Sequence, residues 1–244
     1  IIVGIQIYLH SSSAFERLRV FDRLQKPSWP GMRQILILGT PMGGAILAEA
    51  GFFHVIPMIA AKLGTLALAA HAVAMSFDMM MFIIPLAISQ AITIRTANAL
   101  GRDDQQRAQQ IAILGIKVIF ALAAVQCLAV LSFGKWIPGL YTADPAVLEL
   151  ATSLLLVAAF IRIFDGLHIA GSGVLRGYGK TRTILAISVS AFWLVGAPLA
   201  WLAASQDWII GSSPIQAIWL AILDAVICAS AMTLWRVRQV LSQP

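Results

Sequence analysis

Four carboxylates stand inside runs of residues that are otherwise oily: Glu49, Asp78, Asp165 and Asp224. On insertion scales an acid at the centre of a spanning helix costs roughly 2.5 to 3.5 kcal/mol, so such groups face a bundle interior or a watery cavity. In such a pocket a carboxylate can take up and release a proton, or hold a sodium ion, near neutral pH. Glu49 and Asp165 stand out. Counted from the basic ends of their apolar runs, they lie about fourteen and about ten residues in, which at 1.5 Å per residue puts both near the midplane, at a depth where they could share one cavity. Asp165 has Arg162 one helical turn before it and His168 at the same spacing after it. Arg162 offers a structural ion pair and His168 a hydrogen bond. Glu49 has no basic neighbour within a turn. Arg162, His168, Asp78 in the methionine-rich FDMMMF, and the isolated Asp224 form a second set of candidates. His54 and His71 read as packed, hydrogen-bonded histidines.

The elements that must position these groups follow from composition. Hydrophobic residues make up 59% of the 244 residues and charged ones 11%, against about 25% charged in a soluble domain; the mean hydropathy is +0.86. Apolar runs recur at 35–61, 67–95, 109–133, 147–173, 183–204 and 214–235, each long enough to cross ~30 Å of hydrocarbon. Open strands would leave backbone groups unpaired in lipid, so the predicted fold is an all-α polytopic membrane protein with six spanning helices. The opening IIVGIQIYLH reads as the end of a further helix rather than a signal peptide.

The net charge of +6 reports topology rather than a nucleic-acid partner. Thirteen of seventeen basic residues fall on one side of an alternating bundle, among them Arg33, Arg102, Arg107, Arg176, Lys180 and Arg236. The positive-inside rule makes that side cytoplasmic. Trp29, Trp136, Trp208 and Trp235 sit near span ends, where indole rings favour the interface. Trp193, Trp201 and Trp219 lie further in, as packing residues. Cys127 and Cys228 stand singly in apolar runs and read as inert thiols.

Asp144 with Pro145, and Ser213 with Pro214, have the pattern of an N-cap followed by proline at the first helical position. Pro41, Pro57, Pro85 and Pro198 fall within or near the ends of spans, where each removes a backbone hydrogen bond and favours a bend. Small residues after Asp165, namely Gly166, Ala170, Gly171 and Gly173, permit close helix packing. GSGVLRG superficially matches a glycine-rich nucleotide loop but follows no strand. An intramembrane aspartyl hydrolase would need a GxGD signature, which is absent; the chain reads as a non-enzyme.

Three segments in order, GTPMGGAILAEAGFFHVIPMIAAKLGTLALAAHAVAM, YTADPAVLELATSLL and IFDGLHIAGSGVLRGYGKTRT, resemble the second half of MATE (multidrug and toxic compound extrusion) transporters, NorM-like branch. The resemblance implies twelve helices in two six-helix halves with alternating access to a central cavity. Residues 1–10 would end helix 6, residues 11–34 form a cytoplasmic linker, residues 35–236 carry helices 7 to 12, and residues 237–244 form a tail. The acids of EAGFF and FDGLH, which fall on Glu49 and Asp165, are linked in that branch to cation binding, and are metal ligands only if the coupling ion is sodium. The implied activity is export of organic cations in exchange for sodium ions or protons, with no other cofactor. The implied partners are those substrates, the lipid bilayer of a bacterial inner membrane and the N-terminal half of the transporter. Both ends of the chain would be cytoplasmic. A flippase for lipid-linked precursors is the alternative, and Arg162 leans toward it.

Overall fold

The computed structural model describes residues 28–205 and 213–242. The expected helix end at residues 1–10, most of the linker, and Trp208 lie outside the described residues. The chain divides into a short leading unit, Ile1–Ile37, and a larger one, Leu38–Pro244. The packing, the cavity and the site all lie in the larger unit.

Six apolar helices are each long enough to cross a bilayer: α1, Trp29–Lys62; α2, Thr65–Leu100; α3, Gln105–Phe133; α4, Pro145–Gly177; α5, Thr181–Ser205; and α6, Pro214–Leu241. No strand occurs among the described residues. The helix starts have local causes. Asp144 caps α4 by accepting from the backbone N–H of Ala146 at 2.9 Å, and Pro145 fills the first helical position. At α6 Ser213 occupies the cap, its backbone N–H donating to Gln216 Oε1 at 2.8 Å. At α3 Asp104 accepts from the N–H of Arg107, within the turn that joins α2 to α3.

Helix α4 is the axis of the bundle, packed against α2, α3 and α6. Its seam with α2 is the most extensive. Ser89 Oγ donates to Ile169 O at 2.7 Å and Thr93 Oγ1 to Gly173 O at 2.9 Å. A sequence offset of 80 in both pairs shows that the two helices run parallel. Gly173 is required there, because a Cβ at that position would stand 2.7 Å from the backbone oxygen of Ser89. Across the bundle, α1 meets α5 through Phe52 and Phe192, whose ring centroids are 5.4 Å apart. Trp193 Nε1 donates to Ala48 O at 2.9 Å in the same contact.

Helix α5 is not uniformly wound: Val189–Gly196 is π-helical. Pro198 has no N–H and its ring crowds the carbonyl four residues back, and the wider turn just before it relieves that crowding. Trp193 and Trp201, read from sequence as packing residues, are 40% and 58% exposed. Trp193 is held at its indole nitrogen instead, and Trp201 lies under Lys62, whose Nζ is 4.8 Å from the ring centroid. Trp219 is buried, as expected; Trp29, Trp136 and Trp235 are exposed. Leu47, Leu114, Leu128 and Leu194 are also exposed, which suits a surface whose solvent is lipid.

Candidate functional site

One face of α4 supplies Arg162, Asp165, Ile169, Ser172 and Arg176 at spacings of three and four, which is a single helical stripe. It faces a stripe of α2, from Met75 through Asp78, Met79, Phe82 and Leu86 to Gln90, and a stripe of α1 carrying Met42, Glu49 and Phe53. Together with His168, Ile184 and Phe192 they enclose a cavity of about 400 Å³. Methionines and aromatics give it soft, adaptable walls. Its charged groups are gathered into two clusters.

The first cluster is centred on Arg162. Its Nη2 donates to Asp78 Oδ2 at 2.9 Å and its Nε lies 2.8 Å from Asp78 Oδ1. The second approach is close but poorly aligned, so it counts as an ion pair and not as a second hydrogen bond. The same Nη2 is 3.2 Å from Asp165 Oδ2. All three residues are buried. The expected pair of Arg162 with Asp165 therefore exists, but as the longer arm of a triad whose main partner comes from α2. The reason is geometric: residues three apart share a helix face, whereas Asp78 meets the guanidinium head on from the opposite wall.

The second cluster is centred on His168. Its Nε2 is 3.3 Å from Glu49 Oε1 and its Nδ1 is 2.9 Å from Thr233 Oγ1 on α6. Ser188 Oγ of α5 donates to the same Glu49 oxygen at 2.6 Å. His168 was expected to serve Asp165 from the flank; it spans from α4 to α1 and α6 instead. Glu49 thus has a basic neighbour in space that it lacks in sequence. With 33% of its side chain exposed, against 9% for Asp165, it is the more accessible of the two acids.

Asp224 does not join either cluster. It is exposed, because the buried stripe of α6 runs through Ile215, Ile218, Ile222, Ala225 and Ala229 and position 224 points away from it. Of the two histidines read as packed, His71 is buried against Trp219, with centroids 5.7 Å apart, and its Nδ1 has no hydrogen-bond partner. His54 lines the cavity and bonds Ala50 O through Nδ1 at 2.6 Å. Sequence reasoning assigned Arg176 to a connection between helices; it belongs to the cavity wall. The three-and-four spacing from Arg162 was the signal that would have found it. Ser188 and Thr233, ordinary hydroxyls in apolar helices, carried no such signal.

A family model described as MatE matches residues 41–202. Multidrug resistance protein MdtK of Yersinia pseudotuberculosis serotype O:1b (strain IP 31758) is 33% identical over 237 residues, which are 97% of this chain and 52% of that protein. MdtK of Cronobacter sakazakii (strain ATCC BAA-894) is 34% identical over 216 residues, 88% of this chain and 47% of that protein. The crystal structure of the eukaryotic MATE transporter AtDTX14 superposes with a TM-score of 0.85 at 21% identity, over 97% of this chain and 52% of that one. The chain spans about half the length of the curated relatives it matches.

Proposed function

This chain belongs to the MatE family, whose members are transporters and not enzymes, and we propose that it is the second six-helix half of a secondary antiporter that exports organic cations in exchange for sodium ions or protons. In this reading residues 35–236 carry helices 7 to 12, residues 11–34 link them to a preceding six-helix half, and the basic connections face the cytoplasm of a bacterial inner membrane. The match to about half of each MdtK relative supports that division.

The observation that carries the reading is the cavity. Glu49 and Asp165 line it together, among Met42, Met75, Met79, Phe53 and Phe82. Apolar walls favour an amphiphilic cation's body, and an accessible carboxylate favours its charge. An inward-moving ion and an outward-moving organic cation then compete for the same acid, so binding one displaces the other and the two gradients are coupled. One-for-one exchange of monovalent cations moves no net charge. The membrane potential, about 2.3 kcal/mol per charge per 100 mV, then cancels, and the ion's concentration gradient drives export. Arg162, which leaned toward a phosphate-handling flippase, is already held by Asp78 and Asp165, so antiport is the better-supported reading.

The test is accumulation of a fluorescent organic cation in inverted vesicles that contain the full-length protein, with sodium and pH gradients imposed separately. One of the two gradients should drive accumulation, and Glu49→Gln should abolish it. Accumulation driven by neither overturns the proposal.

A further inference from the structure

Five ionic side chains line the cavity, Glu49, Asp78, Asp165, Arg162 and Arg176, and four of them have an ionisable partner. Asp78 and Asp165 share Arg162, and Glu49 has His168. Among the described residues Arg176 makes no ion pair. It leaves α4 in the last turn, but side chains on a helix lean toward its N-terminus, and Arg176 does so fully. Its Nη2 donates to Ser89 Oγ at 3.0 Å, the hydroxyl that itself donates to Ile169 O. The guanidinium therefore stands about one turn up from its own Cα, level with Gly173, on the cavity wall.

Two donors at this place lack partners. Arg176 Nε is shielded and makes no hydrogen bond, and the same is true of Ser172 Oγ, one turn earlier on the same face of α4. Ser172 is only 5% exposed. Gln90 lines the adjoining wall on α2. Buried donors left unsatisfied are costly. A planar guanidinium with further N–H groups to offer, beside a free hydroxyl, matches a carboxylate, which accepts at both oxygens.

We propose that Arg176, Ser172 and Gln90 form an anion subsite of the cavity, which takes the carboxylate of a zwitterionic amphiphile whose cationic group sits at Glu49. The proposal rests on the export reading above and extends it: the cavity has a positive pole as well as a negative one, and substrates that bear both charges use both.

Rhodamine B, which carries a carboxylate and a delocalised cation, and its ethyl ester, which carries only the cation, separate the two readings. In inverted vesicles containing the full-length protein, Arg176→Gln should lower rhodamine B accumulation about tenfold, the scale of a lost charge-assisted hydrogen bond, and leave the ester within about twofold. Arg176→Lys, which keeps the charge and loses the fork, should recover part of the rhodamine B signal. Ser172→Ala should weaken rhodamine B alone. Equal loss of both dyes in Arg176→Gln, with or without recovery in Arg176→Lys, overturns the subsite and leaves the export reading standing. If ester transport by the wild type rises with added chloride or phosphate and Arg176→Gln removes that rise, the group holds a free anion, which also overturns the proposal. If the wild type moves neither dye under either gradient, the export reading fails and the subsite fails with it.

Discussion

The two charge clusters of the cavity are centred six residues apart on α4, on Arg162 and His168, and are built on opposite principles. Around Arg162, two carboxylates face a cation that cannot lose its proton, and all three are largely buried in the cavity wall. Around His168, one carboxylate faces a base that can be neutral or charged, and that carboxylate is a third exposed. A buried cluster with a permanent counter-ion ties α2 to α4. An open cluster whose counter-ion is optional can give its place to something else. In the terms of the proposal above, Arg162 holds the wall and Glu49 meets the cargo.

Substitutions can break this division. The largest effect belongs to Arg162→Met, which leaves Asp78 and Asp165 buried together without a cation; it should destabilise the full-length protein by about 3–5 kcal/mol, read as a lowered melting temperature in detergent. Adding Asp78→Asn should recover much of that loss. Next comes Glu49→Gln, expected to weaken binding of a fluorescent organic cation roughly tenfold, as loss of a charged partner does, with little change in melting. Equal destabilisation by both substitutions would erase the distinction between the clusters. Ser188→Ala removes one hydrogen bond to Glu49 and should cost about 1 kcal/mol or less, visible as a smaller shift in cation affinity. Asp224→Asn, remote from both clusters, should leave transport unchanged and stability within about 0.5 kcal/mol. A transport defect there would mean that a third acid takes part.

The helices were legible in the sequence because each is dictated locally. Span length follows from apolar runs, and the starts at Pro145 and Pro214 follow from the residue before each. That Glu49 and Asp165 could share a cavity was legible too, since position along a helix is a count of residues, and both line the one described above. What escaped was rotation and pairing across helices. Asp78 lies 84 residues from Arg162, and nothing local announces that contact. Arg176 was misread because a long side chain need not stay level with its own Cα. Asp224, a secondary candidate because it stands alone in an apolar run, lies off the buried stripe of α6, which is again a matter of rotation and not of depth.

The glycine seam between α2 and α4 has a mechanical consequence. Gly173 against the backbone of Ser89, tied by two hydroxyl bonds, leaves no slack for one helix to slide on the other, and close-packed contacts of this kind shift as blocks or not at all. The seam itself, Ser89 to Thr93 against Ile169 to Gly173, is a block that keeps its shape. A change in the cavity's width then comes from outside that block: from Pro85 in α2 above the seam, or from the opposite side, where α1 carries Pro41 and Pro57 and α5 carries a loosened π-helical stretch ahead of Pro198.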